Sequence, residues 1–249
     1  ADQVKELYDY QKDYFLGSRS SVTLYKGHLG IGVAEPSGQL ELAGDERIQE
    51  YPPRAMTGYE TLVEGHGVFC ASTSSGWTTT SSYAAYNVFD NDSTTFWVSQ
   101  GNGSDLSYDT NGIATSDDRF NPGGGVSPVN GSWIKLKLPY GIKLGHCELT
   151  PRPSGQTAPP PRQPKSGIIW GSNDDVNWEQ VSTFLFSTIA DLYTFTINSS
   201  KSYKYITLQV TATQTITVTV NTDYDAVAIV GLKFFGTPGP TTLDKGSLT

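Results

Sequence analysis

Cysteine and histidine are scarce in this sequence of 249 residues, which contains two cysteines and three histidines. Two cysteines are too few for a disulfide framework or for a zinc site made only of thiolates. Cys70 and Cys147 are therefore either two buried thiols or one bridge. His28, His66 and His146 stand far apart and show no metal-binding spacing, so we expect them at the surface or in caps.

Basic charge is also limited. The 17 Lys and Arg residues face 25 Asp and Glu residues, which leaves a net charge of −8. No run of Lys and Arg exceeds two residues, so neither nucleic acid nor an anionic membrane is expected as a partner. No stretch approaches the roughly 20 apolar residues that cross a bilayer, and membrane insertion is therefore not expected.

Motifs of common enzymes are missing as well. The sequence has no G-x-S-x-G elbow, no phosphate loop, no H-E-x-x-H and no 20–50 residue repeat of a solenoid enzyme. The acidic pairs Asp117-Asp118 and Asp174-Asp175 are adjacent, whereas a glycosidase needs two carboxyl groups that oppose each other across the substrate. We expect no catalytic activity.

Aromatic and β-branched residues are plentiful. Aromatics make up 12% of the chain, beside 26 Gly and 14 Pro, and this composition favours an all-β fold. Only the first residues have helical spacing, with Val4, Leu7, Tyr14 and Phe15 near one face. We expect a short N-terminal helix that packs on its own domain or forms a homo-oligomer such as a trimer.

Glycine, proline and polar segments divide the chain into five parts. Residues 23–50 alternate short apolar runs with glycine and a Pro-Ser-Gly turn, which predicts a β-hairpin segment. Pro52-Pro53 lies in a polar stretch that cannot continue a central strand. The predicted parts are a helix at 1–22, a β segment at 23–50, a linker at 51–66, a β domain at 67–237 and a tail at 238–249.

The β segment resembles a known type of sequence. Its run GHLGIGV at residues 27–33, followed by Pro36 and Leu40, is similar to a G-x-x-G-I-G-T-x-x-P segment of tail-fibre and spike proteins from phages and large DNA viruses. An ordinary β-hairpin has the same residue types. The resemblance implies a fibre, spike or minor capsid protein on a virion surface.

A tight polar loop lies between Phe89 and Trp97. Asp90 and Asp92 can bond their own backbone, and Thr95 can satisfy a neighbouring carbonyl or amide, so the loop predicts a turn with both ends anchored in the core. The same closely spaced oxygens of Asp90, Asp92 and Thr95 also suit a hard cation. Both alternatives remain open at this stage.

This loop and four later motifs resemble the discoidin family, which includes coagulation-factor C domains and galactose-binding-like modules. Asp90, Thr95 and Trp97 match the hallmark A-F-D-G-x-x-x-T-x-W, with Asn91 in place of Gly. The later matches, in order, are WIKLKL at 133–138, GSNDDVNW at 171–178, YKYITL at 203–208 and VAIVGLKFFG at 227–236. The family's cation would be calcium, yet Gly231 stands where the family has Glu.

The resemblance implies an antiparallel jelly-roll β-sandwich, and alternation supports the same strands. Ile134, Leu136 and Leu138 share one side of a strand while Lys135 and Lys137 share the other, so one face is dry and one is wet. Two stacked sheets would hide both dry faces. The tryptophans Trp97, Trp133 and Trp178 are then expected in the core or at loop bases.

Family members are typically non-catalytic modules that bind glycans, lipids or proteins through loops at one end. The polar loop 100–130 carries Tyr108, Asp117 and Arg119, which combine an aromatic ring with hydrogen-bonding charges, as sugar recognition requires. Trp77 lies among small polar residues and is the tryptophan expected to be exposed. These four are the candidate ligand-binding residues, and each could also be an ordinary surface residue.

The sequence therefore predicts a non-catalytic virion-surface protein whose discoidin-like domain binds a host glycan or a neighbouring capsid protein. A secreted cellular lectin or adhesion module, which would be extracellular, is the alternative. Four N-x-S sequons, at Asn91, Asn102, Asn130 and Asn198, are compatible with that alternative.

Overall fold

The computed structural model describes part of the chain. The described residues are 22–25, 28–31, 40–42, 47–74, 83–99, 101–102, 105–109, 111–116, 118–153, 163–214 and 226–239. Only the backbone is described for residues 22–42, 101–102 and 105–106 within these ranges. The predicted N-terminal helix and the C-terminal tail after residue 239 lie outside the described residues.

The described elements are strands and one short 3-10 helix, Ala85–Phe89. The strands are β1 Val22–Tyr25, β2 His28–Ile31, β3 Leu40–Leu42, β4 Gln49–Tyr51, β5 Glu60–Val63, β6 Gly67–Thr73, β7 Trp97–Val98, β8 Gly101–Asn102, β9 Asp105–Leu106, β10 Arg119–Phe120, β11 Val129–Asn130, β12 Ser132–Pro151, β13 Pro164–Ser172, β14 Glu179–Leu185, β15 Tyr193–Thr196, β16 Ser202–Thr213 and β17 Ala228–Pro238. The described part of the chain contains no helix long and apolar enough to span a membrane.

The chain divides into two compact units, residues 1–46 with 238–249, and residues 47–237. In the first unit, β1 and β2 pair antiparallel, with Val22 opposite Ile31, which is the predicted β-hairpin. Strand β3 joins β2 in parallel, with Leu29 opposite Leu40.

The second unit is the predicted β-sandwich, and its long strand β12 belongs to both layers. The first half of β12 lies between β6 and β16, with Ile134 opposite Thr73 on one side and Leu208 on the other. The second half pairs with β15, and β17 is its other neighbour. The register shifts between Lys137 and Ile142, where the strand passes from one layer to the other.

The first layer has the order β5-β6-β12-β16-β13-β14, and the second contains β15, β12, β17 and β4, with β7 paired to β17. The pairings recorded within this unit run antiparallel. The all-β antiparallel jelly-roll sandwich predicted from the sequence is confirmed.

The core fills the space between the two layers. Ile134, Leu136 and Leu138 are fully buried, so the predicted dry face of β12 is confirmed. Trp97 is fully buried in the same cluster, as predicted. Residues of both layers contribute to this core, among them Tyr51, Phe69, Leu144, Leu149, Ile206, Leu208, Ile229 and Phe234.

Residues 51–66, assigned from the sequence to a linker, are part of the sandwich unit, which starts at Arg47. Tyr51 is fully buried on β4, opposite Phe234 of β17. Met56 is buried and its N–H donates to Phe89 O at 2.8 Å. The segment looks polar because its strands lie at sheet edges, where alternate side chains face solvent.

The cysteines are separate free thiols. Cys147 is fully buried in the main core, and burial raises the pKa of its thiol. Cys70 on β6 is half-buried, and burial raises the pKa of its thiol too. The structure therefore favours two thiols over one bridge.

Edge strands β14 and β15 meet through a ladder of aromatic side chains. Phe186 stacks on Tyr193 with 3.9 Å between ring centroids and an interplanar angle of 10°. Phe184 continues the ladder to Phe186 at 4.9 Å and to Phe195 at 5.1 Å. Offset stacks of this kind add to the stability that burial alone provides. The ladder closes this side of the sandwich.

Two leucines on the same layer test the assignment of dry and wet faces. Leu136 is fully buried, whereas Leu62 on β5 is 75% exposed. We expect Leu136→Ala to lower the free energy of unfolding by about 2–5 kcal/mol, because it leaves a cavity. The control Leu62→Ala should change it by less than about 0.5 kcal/mol. Urea unfolding measures both, and equal losses would contradict the assignment.

Candidate functional site

The structure describes two of the four ligand-binding residues predicted from the sequence, Tyr108 and Arg119. Tyr108 is fully buried, and its hydroxyl donates to Val210 O at 3.0 Å. Burial raises the pKa of Tyr108 well above its ordinary value. Trp77 and Asp117 lie outside the described residues. Arg119, at the start of β10, is exposed to solvent, unlike Tyr108.

Residues 118–130 pack on the outer face of the first layer, and we call them the covering segment. Strands β10 and β11 pair with Phe120 opposite Val129, and Phe120 is only 4% exposed. Its ring lies 5.8 Å from Trp133, 5.3 Å from Trp170 and 5.1 Å from Trp178, measured between centroids. This part of the polar loop therefore forms an apolar cluster separate from the main core.

Polar contacts hold the covering segment in place. The indole N–H of Trp133 donates to Arg119 O at 3.1 Å. The side-chain amide of Gln209 donates to Val129 O at 2.8 Å and accepts from the indole N–H of Trp170 at 2.9 Å. Buried polar side chains with both donor and acceptor satisfied make an arrangement rigid. Arg119 is thereby fixed next to Trp133.

The outer face of β12 is only partly exposed to solvent. Trp133, Lys135 and Lys137 alternate along it, and all three are partly buried. The ammonium of Lys135 lies 5.9 Å from the ring centroids of both Trp133 and Trp178. The same ammonium donates to both carboxylate oxygens of Asp175, at 2.7 and 2.9 Å. We call Trp133, Lys135 and Asp175, with Trp178 behind them, the tryptophan–lysine surface.

The turn after β13 places Asp175 at this surface. Asp174 accepts hydrogen bonds from the backbone N–H groups of Val176 and Asn177 at 3.0 and 2.8 Å, and from the Asn177 amide at 2.8 Å. Asp175 adopts φ 62°. Hydrogen bonds from Asn177 and then Val176 hold the pKa of Asp174 well below its ordinary value. The two adjacent carboxylates therefore have different structural roles.

The tryptophan–lysine surface can bind polar ligands that also have an apolar face. Side-chain exposure is 20% for Lys135 and 37% for Asp175, so the pair is partly shielded yet accessible. The pair offers a donor and an acceptor side by side, next to the partly exposed indole of Trp133. An ion pair this accessible adds only about 0–1 kcal/mol to stability, so its loss should not unfold the domain.

The loop 89–97 forms the turn predicted from the sequence. Asp90 accepts from the Asp92 N–H at 2.8 Å and from the Thr95 hydroxyl at 2.6 Å. Asp92 accepts from the N–H and hydroxyl of Thr94 at 2.8 and 2.7 Å, and these bonds lower the pKa of Asp92. The carboxylates close the turn, and Trp97 anchors its end in the core.

These contacts fit a calcium ion poorly. Calcium takes six to eight oxygens, whereas the carboxylates of Asp90 and Asp92 already accept four bonds from their own loop. Gly231 supplies no side-chain oxygen. Within the described ranges, no group of three or more His, Cys, Asp or Glu side chains could hold a metal.

Sequence reasoning missed Trp133, Lys135 and Asp175 as surface partners. The signal was present on β12, because Trp133 shares its period-two side with Lys135 and Lys137. Trp178, predicted at a loop base, is buried at 8% exposure. No local signal identified Asp175, because its partner lies 40 residues away in the sequence.

Comparisons with known proteins gave structural matches only. No protein-family model matches the chain, and neither does any curated protein. Three of the solved structures that it resembles are carbohydrate-binding modules or a chitobiase fragment. They are the family 32 CBM from Clostridium perfringens NanJ in complex with galactose (16% identity, 67% of this chain and 93% of that chain, TM-score 0.45), CBM32-3 from a family 31 glycoside hydrolase of Clostridium perfringens (17%, 66%, 88%, 0.47) and a putative chitobiase fragment from Bacteroides thetaiotaomicron (12%, 75%, 98%, 0.49).

Identities of 12–17% and TM-scores below 0.5 are too low to transfer a ligand or a residue role to this chain. The fold itself is established by the strand pairings described above.

Two glycines test how the covering segment docks. Gly123 and Gly125 both have positive φ, at 71° and 81°. A Cβ on Gly123 would lie 2.1 Å from Val176 O, whereas a Cβ on Gly125 would meet nothing within 4 Å. We expect Gly125→Ala to cost about 1–2 kcal/mol of stability through backbone strain. Gly123→Ala should cost about 1–3 kcal/mol more, because the segment must move off the turn. Unfolding followed by tryptophan fluorescence measures both, and equal losses would show that this contact is unimportant.

Acid should weaken the turn that carries Asp175. A carboxyl whose pKa is lowered in the folded state stabilises the fold above its unfolded pKa, about 3.9, and that stabilisation falls as the pH drops towards the folded pKa. We therefore expect Asp174→Ala to be less stable than wild type at neutral pH, by a difference that shrinks below about pH 4. Unfolding in urea across a pH series measures it. A difference for Asp174→Ala that stays constant in acid would refute the role of this carboxylate.

Proposed function

We propose that the sandwich is a non-catalytic glycan-binding module and that the tryptophan–lysine surface contacts the sugar. The observation that supports this proposal is the partly exposed indole of Trp133 beside the ion pair of Lys135 on β12 and Asp175 in the turn after β13, whose charged atoms lie 2.7 Å apart. Glycan binding is also what the resemblance to the discoidin family implies.

The chemistry of a pyranose matches these groups. One side of the sugar ring presents C–H groups that pack on an aromatic face, and its edge carries hydroxyls that both donate and accept. A hydroxyl can accept from the Lys135 ammonium and donate to the Asp175 carboxylate. Because Phe120 and the turn at 172–178 hold these groups, little order has to be gained on binding.

The position of this surface differs from the loop-end site that the family resemblance implies. The tryptophan–lysine surface lies on the outer face of the first layer, beside the covering segment that carries Arg119. Arg119 therefore connects the sequence prediction with the described surface. The loop-end residues Trp77 and Asp117 remain predictions.

The setting of the module stays a proposal of its own. The resemblance of residues 27–33 supports a place on a virion surface, as a fibre, spike or minor capsid protein. A secreted lectin is the alternative, supported by the exposure of Asn91, Asn130 and Asn198 in three sequons. N-linked glycans on protein isolated from its natural source would favour the secreted setting.

Contact with a protein neighbour, such as another capsid protein, is a second candidate function. Leu185, Ile189 and Leu192 are 75%, 51% and 51% exposed within eight residues of chain. The segment between β14 and β15 is well held, since the Tyr193 hydroxyl accepts from the Ala190 N–H at 3.1 Å. Exposed apolar side chains on an ordered segment are typical of protein contacts.

Two lysines with equal ion-pair geometry test the glycan proposal. Lys135 and Lys201 each lie 2.7 Å from a carboxylate, Asp175 and Glu179 respectively. We expect Lys135→Met to weaken binding of a glycan found by array screening by about tenfold or more, because hydrogen bonds to a charged group contribute about 1.5–3 kcal/mol. Lys201→Met should bind as wild type does. Calorimetric titration measures the affinities, and thermal melting checks that both variants fold. Glycan binding unaffected by Lys135→Met would exclude this surface, and an array without any binding would exclude the function.

A further inference from the structure

We infer that the ligand of the tryptophan–lysine surface is an anionic glycan, a sugar chain that carries carboxylate or sulfate groups. This inference rests on the proposed glycan-binding function and adds the chemical class of the ligand. It follows from two cations that flank the surface and have no carboxylate partner in the part of the chain that the structure describes.

Lys137 is the first of these cations. It follows Lys135 by two residues on β12, so both side chains leave the same face, with about 6.6 Å of strand between them. Its ammonium lies 6.0 Å from the ring centroid of Tyr205, and Tyr205 packs against Trp178 at 6.4 Å. The aromatic surface therefore continues to Lys137, whose ammonium forms no ion pair with any described residue.

Arg119 is the second cation, on the segment that packs beside Trp133. The indole N–H of Trp133 donates to Arg119 O, which fixes the position of Arg119 relative to the ring. The guanidinium donates its Nε–H to Ser116 O at 2.8 Å, and its other N–H groups have no partner among the described residues. Two parallel N–H groups of this kind match a carboxylate or a sulfate.

The described carboxylates nearby do not pair with Lys137 or Arg119. Asp175 pairs with Lys135, and Asp174 keeps its negative charge but accepts hydrogen bonds from its own turn and forms no ion pair with Lys137 or Arg119. Glu60 lies across Cys70 from Lys137 in the register of β5, β6 and β12, and no ion pair joins Glu60 to Lys137. Lys137 and Arg119 are therefore the two cations beside the surface that form no ion pair with a described residue, and each can pair with an anionic group of a ligand.

The rest of the protein makes this patch selective. With a net charge of −8, the chain repels anions at long range, but salt screens charges over about 8 Å at physiological ionic strength. An anionic ligand can therefore bind only where cations touch it directly. Lys137 follows Lys135 on β12, and the backbone of Arg119 adjoins Trp133, so a glycan that spans the surface can place anionic groups on these cations.

The test compares matched oligosaccharides on the full chain. The probes have equal length and linkage and are neutral, carboxylated or sulfated. A single-stranded oligonucleotide serves as a control polyanion that is not a glycan. We expect wild type to bind an anionic probe about tenfold more tightly than the neutral probe, and the preference to fall at high salt. The better of the two anionic probes identifies the group that the surface recognises.

Lys137→Met and Arg119→Gln should each lower affinity for the anionic probe about fivefold or more, and should lower affinity for the neutral probe by less, because only an anionic group pairs with these cations. The matched control is Lys143→Met, an exposed lysine on the second half of β12, which should keep the preference. Thermal melting confirms that each variant folds.

Equal binding of neutral and anionic probes, or a preference that survives both substitutions, would overturn the inference and leave glycan binding intact. Binding of the oligonucleotide as tightly as the sugar would overturn it too, because the surface would then recognise charge alone. If no probe binds, the proposed function fails, and the inference fails with it.

Discussion

Burial of Phe120 among three tryptophans is the contact on which the candidate surface depends. The outer faces of sandwich sheets normally contact water, so large aromatic side chains on such a face are buried only if another segment packs over them. Residues 118–130 provide that cover because Phe120 removes apolar area from water and the backbone of the segment finds donors in Trp133 and Gln209. With the segment packed in this way, the indole of Trp133 also binds the backbone oxygen of Arg119.

Strand β12 connects this surface to the fold. Its 20 residues run through both layers, and in the first half the inward side chains build the core while the outward ones build the surface. Because one strand does both, the positions of Trp133, Lys135 and Lys137 are as rigid as the core beneath them. A binding surface on a strand is held more precisely than one on a loop.

Sequence reasoning succeeded where the controlling interactions are local. The alternation of Ile134, Leu136 and Leu138 identified the buried face, and the short polar side chains of Asp90 and Asp92 identified a turn that ends at a buried tryptophan.

Sequence reasoning failed where the partner of a residue is distant in the sequence. Tyr51 looked like the start of a linker because its partner Phe234 follows 183 residues later, and Tyr108 looked like a ligand contact because nothing nearby indicates its bond to Val210.

The sequence by itself determined which side chains share a face, since successive side chains in a strand point to opposite sides of the sheet. It also determined the all-β class through its aromatic and β-branched content. Only the tertiary structure decided which outward face becomes covered and where the charges meet. That decision depends on residues far apart in the chain, such as Phe120 with Trp178 and Lys135 with Asp175, and such contacts exist only after the sheets have paired.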